Sequence, residues 1–332
     1  MKNKEVERLI DRVPLQAIRC LELYRQPHRF YHTEGHIEEM LEGLLKYKLS
    51  SIEIEILTLA IIYHDCVYDP KRSDNEKLSC DKFDEDNFSD FFEHQYNLER
   101  VKKVIMATKN HVYGKGNLED IIINLDMKVF SRSIMGLIEY EHGIFNEYQF
   151  VPITTYITER VYFLKTILEK FNNSCIVNNI NFLIDYVQNR EYKIGIFAGS
   201  WRPYHRGHDN IRAKAEEIFD KVIIARGINP DKTGIPEFEL PSTLYNEVIE
   251  YDGLVTELFS TLLPNVKLFF VRGLRNVYDL GYEENIRKTV HDINPDIKFA
   301  YFFCDREYEH ISSSSIRGLL KFDKNAAKKY ML

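Results

Sequence analysis

The sequence predicts two domains of different class, an all-α domain over residues 1–190 and an α/β domain with a parallel sheet over residues 191–332. Three observations predict this. Apolar residues recur at helical spacing through the first half, where glycine is sparse and no alternating strand pattern appears. From Lys193 on, short apolar runs alternate with amphipathic stretches, the rhythm of βαβ units. A chain of 332 residues is also long enough to bury two cores.

The helical segments come in order as HIEEMLEGLLKY (36–47), EIEILTLAIIYHD (53–65), LERVKKVIMATKNH (98–111) and ITERVYFLKTILEKF (157–171). Each places apolar side chains at i, i+3, i+4 and i+7, which line one helix face. The polar stretch VQNREYK (187–193) marks the boundary. It holds neither proline nor glycine, so the linker is short. Then follow a strand KIGIFAG (193–199), a helix DNIRAKAEEIFD (209–220), and strands KVIIARG (221–227), VKLFFVRG (266–273) and DIKFAYFFC (296–304). No repeat of solenoid period is visible.

Composition bounds the function. Hydrophobic residues make up 44% and charged residues 29%, ordinary for a globular protein, and the net charge of −7 gives no reason to expect a nucleic-acid or membrane partner. The five cysteines (Cys20, Cys66, Cys80, Cys175 and Cys304) are scattered and odd in number, with no C-x-x-C spacing. They read as reduced thiols rather than a disulfide framework or a zinc knuckle. The charged start MKNKEVERLIDRV has no apolar signal region, and no apolar run reaches the length of a bilayer, so a cytoplasmic protein is expected.

The first strand of the second half runs into Gly199-Ser200, followed by His205-Arg206-Gly207-His208 where a helix begins. In open α/β sheets ligands sit at the carboxyl ends of strands, and a helix start there offers free N–H groups to phosphate. Gly199 and Gly207 allow close backbone approach. Two histidines three apart at such a point suit stabilisation of charge on a transferred phosphoryl group. A bare H-x-G-H recurs by chance; its place between a strand and a helix gives it weight. Arg272 and Arg275 follow the third strand, with Asp279, Glu283 and Glu284 behind them, and arginines there suit phosphate recognition or form a solvated basic turn. Ser312, Ser313 and Ser314 open a last helix, where serines cap the helix and also suit phosphate oxygens.

These three segments, GSWRPYHRGH, RGLRNVYDLGYE and ISSSSIR, carry a resemblance to the Rossmann-like nucleotidylyltransferase superfamily, and most closely to bacterial phosphopantetheine adenylyltransferases. The resemblance implies transfer of AMP from ATP, accompanied by Mg²⁺, to a phosphorylated small-molecule acceptor, 4′-phosphopantetheine foremost. It implies that Ser200 and His208 contact the ATP phosphates, that Lys232 in NPDKTG is the catalytic lysine, and that Arg272 meets the acceptor phosphate. Arg275, Glu283 and the Ser312–Ser314 run would help hold ATP. The sequence departs from the pattern in three places: His205 stands where that family has threonine, Arg202 replaces an acidic residue, and the stretch from Gly234 to Tyr251 is shorter and lacks the family's phenylalanine-to-arginine signature. The H-x-G-H form is typical of relatives acting on nicotinamide mononucleotide and other acceptors, so that mononucleotide stays open as an alternative. The tail after Arg317 is brief, and homo-oligomerisation stays open.

In the first half, His64-Asp65 ends an apolar helix, with His32 and His36 upstream and Asp126 downstream. Imidazoles with carboxylates suit Mn²⁺, Fe²⁺, Ni²⁺ or Zn²⁺. The dipeptide alone is more often a plain helix end. The pieces YRQPHRFYHTEGHI, AIIYHDCVYDP, SDNEKLS, ATKNH, NLDMKVF and EYQFVPITTYITERVYFLKTIL resemble metal-dependent phosphohydrolases of the HD superfamily. That resemblance implies His36, His64, Asp65 and Asp126 as metal ligands and His32 as a group acting on the leaving group or phosphate, with Glu76 and His111 as further candidates. The expectation is a bifunctional enzyme, with a nucleotide sensor that regulates the first domain as the alternative of another class.

Overall fold

The computed structural model describes residues 3–228, 238–260 and 263–332. They form two compact units, one of 1–148 with 163–184 and the other of 149–162 with 185–332.

The first unit is helical. Its elements are α1 (Lys4–Ile10), α2 (Leu15–Cys20), α3 (Glu34–Leu44), α4 (Ser51–Tyr63), α5 (Asn75–Glu85), α6 (Tyr96–Ala107), α7 (Asn117–Asp126) and α8 (Ile134–Glu147). Two longer helices, α9 (Ile153–Leu168) and α10 (Ser174–Asn189), run from one unit's residues into the other's. Helix α4 is the hub, packed against α1, α2, α3, α5, α6 and α7. Its sequence explains this: Ile56, Leu57, Leu59, Ala60, Ile61 and Ile62 are all fully buried, so the helix is apolar on every side. Ser50 and Glu53 close a reciprocal capping box at its start. Each buried aliphatic side chain contributes about 1.5–3 kcal/mol. This places the end of α4, His64 and Asp65, on a rigid support.

The second unit is built on β1 (Tyr192–Gly199), β2 (Lys221–Gly227), β3 (Val248–Tyr251), β4 (Val266–Leu274) and β5 (Lys298–Phe303). The strands are all parallel, in the order β3-β2-β1-β4-β5. Helices α11 (Arg206–Glu216), α12 (Val277–Ile293), α13 (Ser313–Phe322) and α14 (Lys324–Lys328) complete it. Side-chain alternation fills both faces. Phe197, Val222, Ile224 and Val271 join Ile211 and Ala215 of α11 on one face, while Ile196, Ala198, Ala225 and Phe270 join Val290 of α12 on the other. Gly195 is required by packing, because a Cβ there would lie 2.7 Å from Val271 and 2.9 Å from Phe219.

Four strands match the segments read from sequence. The fifth, β3, is short and was not expected: it pairs only with β2, and its side chains alternate exposed and half-buried. The division of the chain also differs from one cut at residue 190, since residues 149–162 belong to the second unit. Lys221 is the physical reason. Its side chain is fully buried, and its ammonium donates to the carbonyls of Gln149 and, at 2.6 Å, Val151, with the Glu247 carboxylate 3.1 Å away. The Glu247 N–H also donates to the Gln149 carbonyl at 3.0 Å. A buried ammonium is tolerated only when its donors are taken up in this way.

Candidate active sites

Where the strand order reverses, the carboxyl ends of β1 and β4 diverge and leave a crevice. A cavity of about 320 Å³ opens there. Gly199 and Ser200 reach it from the end of β1, and His205, Gly207 and His208 from the start of α11. Arg272 and Arg275 reach it from the end of β4, Glu283 from α12, and Ser312 and Ser313 from the entry to α13. Of the expected residues, Ser314 is not in the lining and instead accepts from Arg317 at 3.0 Å. Lys232 lies outside the described residues.

His205 is the N-cap residue of α11, with extended backbone, and His208 sits in the first turn. Their rings stack with centroids 3.5 Å apart and planes 22° from parallel. Gly207 permits this, because a Cβ there would lie 3.2 Å from the His205 ring. The Nδ1 atoms of both histidines are buried and have no hydrogen-bond partner among the described residues. Burial, then the Arg275 cation, pushes His205 down to about 4. Burial, His205 and Arg275 hold His208 well below the usual histidine range. The pair is therefore neutral at pH 7 and faces a cation, a setting that an anion relieves.

Trp201 has a left-handed backbone, with φ of 49°, and its indole N–H donates to the Ala225 carbonyl at 3.0 Å. The ring lies against Gly199, where a Cβ would meet it at 2.8 Å. Gly199 is thus demanded by the indole as well as by any close approach of phosphate. Arg272 is held by Glu283 in a bidentate pair at 2.6 Å for both contacts, and Arg275 by Asp279 at 2.9 and 3.0 Å. Glu283, read from sequence as a contact for ATP, is here the anchor of Arg272. Ser312 caps α13 through Ser315 at 3.1 Å, and Ser313 donates to the Pro203 carbonyl at 3.0 Å.

No protein-family model matches the chain. It is 35% identical over 142 residues to the phosphopantetheine adenylyltransferase of Streptococcus pneumoniae (strain CGSP14), covering 41% of this chain and 88% of that protein. To the enzyme of the same name from strain Hungary19A-6 it is 36% identical over 145 residues, with the same two shares covered. Through its C-terminal half the chain belongs to the phosphopantetheine adenylyltransferase family. The parallel sheet and its crevice are the nucleotidyltransferase fold, and the three motifs of that adenylyltransferase half converge on one cavity.

The helical unit that precedes the adenylyltransferase half gathers a second cluster. One ligand atom each from His36, His64 and Asp65 can be chosen so that all lie within 4.8 Å of one another. The His64 Nδ1 is 2.9 Å from the Ile61 carbonyl, which only accepts, so Nδ1 carries a proton and Nε2 is left to take a second proton or a cation. The Nε2 atoms of His36 and His64 are both buried, and neither makes a hydrogen bond among the described residues. The Asp126 carboxylate stands 3.2 Å from His36 Nε2 and 2.8 Å from His111 Nε2. Burial pushes Asp126 up, but His111 and His36 outweigh it and hold it well below the usual carboxylate range. Buried imidazole nitrogens that face carboxylates without a hydrogen bond are a donor set that suits a divalent cation.

His32 stands beside the cluster, its Nε2 3.9 Å from Asp65. Glu76 is not part of it; its nearest charged partner is Lys109 at 3.9 Å. The residue that sequence reading passed over is Glu147. It is fully buried and meets His32 Nδ1 at 2.7 Å. The two are 115 positions apart, so no local spacing announces the pair.

Proposed function

We propose that the chain is a bifunctional enzyme, with a C-terminal adenylyltransferase acting on 4′-phosphopantetheine, functionally residues 191–332, and an N-terminal metal-dependent phosphohydrolase of HD type, functionally residues 1–190. The observation that carries the first activity is the cavity that joins Ser200, the stacked His205–His208 pair and the Arg272–Arg275 turn. ATP with its Mg²⁺ lies with its phosphates over the start of α11, where N–H groups and two neutral imidazoles await negative charge. The acceptor phosphate, drawn by Arg272, attacks the α-phosphorus in line. A new P–O bond forms, the bond to the β-phosphate oxygen breaks, and pyrophosphate leaves with its electron pair. His208 stabilises the charge that develops, and Lys232 is assigned the same task. No covalent enzyme intermediate is needed.

For the N-terminal half, His36, His64, Asp65 and Asp126 are the residues that would hold a divalent Mn²⁺, Fe²⁺, Ni²⁺ or Zn²⁺ ion. Such an ion supplies Lewis acidity and acidifies a water. The buried Nε2 atoms of His36 and His64, which face Asp126 at 3.2 Å and Asp65 at 3.1 Å without making a hydrogen bond, support this reading. His32 directs Nε2 to the same side and acts on the phosphate ester.

The test of the transfer is pyrophosphate release from ATP and Mg²⁺ with 4′-phosphopantetheine or nicotinamide mononucleotide as acceptor. Release with phosphopantetheine alone is expected, falling about 10²–10³-fold in His208→Ala. Release with the mononucleotide alone would keep the chemistry and replace the acceptor. Tight ATP binding with no release would sink the transfer in favour of a nucleotide sensor.

A further inference from the structure

Glu147, the last residue of α8, has no role in the reading given so far, yet it is among the most heavily engaged side chains near the N-terminal cluster. One oxygen accepts from three consecutive backbone N–H groups, Phe30 and Tyr31 at 2.8 Å and His32 at 2.9 Å. The other accepts from the Tyr68 hydroxyl at 2.8 Å and meets His32 Nδ1 at 2.7 Å. An ionised carboxylate is acceptor only, so the His32 Nδ1 must carry a proton and donate it to this bond. The imidazole is then fixed in one orientation, with Nε2 turned towards Asp65 at 3.9 Å. The Tyr68 ring lies 4.3 Å from the His32 ring and limits its rotation. From the other side, Arg29 donates to the carbonyls of His32 at 3.2 Å, Asp65 at 2.7 Å and Cys66 at 2.9 Å. The turn bearing His32 and the turn bearing Asp65 are thereby tied together.

We infer that Glu147 is a positioning residue of the N-terminal site, which sets the tautomer and direction of His32 and aims its Nε2 at the substrate phosphate. The inference rests on the hydrolase reading of that site. Five donors converge on two oxygens, and glutamine cannot replace them all, because its amide NH₂ would face either the three backbone N–H groups or the His32 and Tyr68 donors. A buried carboxylate retained at this cost in desolvation is in keeping with the orientation of an imidazole that must point one way. It also gives a task to the Glu147-Tyr148 start of the segment that reads EYQFVPITTYITERVYFLKTIL.

The test uses the full chain. In the metal-free wild type, ¹⁵N NMR of the histidine rings should show a slowly exchanging N–H at Nδ1 of His32; this signal should vanish in Glu147→Gln. With Mn²⁺ bound, hydrolysis of 4-nitrophenyl phosphate or bis(4-nitrophenyl) phosphate should fall about 10–100-fold in kcat in Glu147→Gln, with KM and Mn²⁺ affinity kept. The loss should disappear in a His32→Ala background, because Glu147 acts through that ring. Equal losses in both backgrounds, or an altered Mn²⁺ affinity, would show a general structural role and overturn the inference while the hydrolase reading stands. Should Glu147→Gln fail to fold, the wild-type spectrum still decides, since a His32 ring protonated only at Nε2 overturns the inference. A wild type that shows the Nδ1 signal but no Mn²⁺-dependent hydrolysis of either ester removes the hydrolase reading and, with it, the proposed role.

Discussion

The depressed histidines of the adenylyltransferase cavity make a pH signature that one substitution isolates. His205 is pushed down to about 4 by burial and by Arg275, against about 6.5 in an unfolded chain. A base whose folded pKa is lowered takes its proton more readily when unfolded. Stability is therefore unaffected above about pH 6.5, falls as pH drops below it, and stops falling below about 4. Linkage gives a loss of about 2 kcal/mol between pH 7 and pH 5 from this group. His205→Asn removes that loss and leaves the other titrating residues in place. The assay is urea unfolding at both pH values, read by the fluorescence of Trp201, the single tryptophan, which lies buried in the same unit. The wild type should lose about 2 kcal/mol more than the variant on going to pH 5. An identical pH dependence in the two proteins would refute the argument that burial and Arg275 hold His205 neutral. The sign reverses when ATP binds, because its phosphates favour the imidazolium. ATP affinity in the wild type should then rise from pH 7 to pH 5.5, accompanied by proton uptake in calorimetry.

Three further outcomes follow from packing and charge. Gly199→Ala drives a methyl into the Trp201 ring at 2.8 Å, and should cost about 1–3 kcal/mol in urea unfolding; unchanged stability would mean that the indole moves freely. Mn²⁺ at a hundred times its Kd should stabilise the wild type by about 2.7 kcal/mol in thermal unfolding, and His64→Ala should abolish the gain while adenylyl transfer persists. Lys221→Met leaves Glu247 as an uncompensated charge, takes the ammonium from the Val151 carbonyl and leaves the Gln149 carbonyl with the Glu247 N–H. It should cost about 3–5 kcal/mol and open residues 149–162 to limited proteolysis; a variant as stable and as protease-resistant as the wild type would show that Lys221 does not hold that segment.

What was legible in the sequence is what depends on neighbours in the chain. Burial on one face sets the helical period, so α3, α6 and α9 could be read from their apolar spacing, and α4, buried all round, from its length and apolar content. Burial on both faces makes continuous apolar runs, so β1, β2, β4 and β5 could be read as well. The edge strand β3 has one neighbour and four residues, and VIEY carries too little pattern to stand out. That residues 149–162 cluster with the second unit was not legible, because helical periodicity says that a face is buried and not in which core. The deciding group, Lys221, looks in sequence like an ordinary polar flank of a strand. In the adenylyltransferase cavity the glycines, histidines and arginines were visible as motifs. The bidentate hold of Glu283 on Arg272 was not, since it joins a residue of β4 to one within α12, whereas the Arg275–Asp279 pair is local, four positions apart across the start of α12.

The two clusters of histidines differ in a way that connects charge to ligand. In the N-terminal unit every clustered imidazole faces a carboxylate: His64 faces Asp65 at 3.1 Å, His36 and His111 face Asp126, and His32 faces Glu147. Burial works to lower His64, yet Asp65 outweighs it and pushes the ring up to about 9. Asp65 is held far below the usual carboxylate range, although burial opposes this. The surroundings favour positive charge at His64 and His32, and a divalent cation beside them would meet the same carboxylates without the protons. In the adenylyltransferase cavity no carboxylate shifts the two imidazoles; Arg275 and burial drive both down. The carboxylates in that lining, Glu283 and Asp279, are taken up by Arg272 and Arg275 rather than by the imidazoles. Both clusters contain buried nitrogens without partners, so neither burial nor missing hydrogen bonds distinguishes them. The direction of the shift does where it is resolved: it is upward at His32 and His64 and downward at His205 and His208.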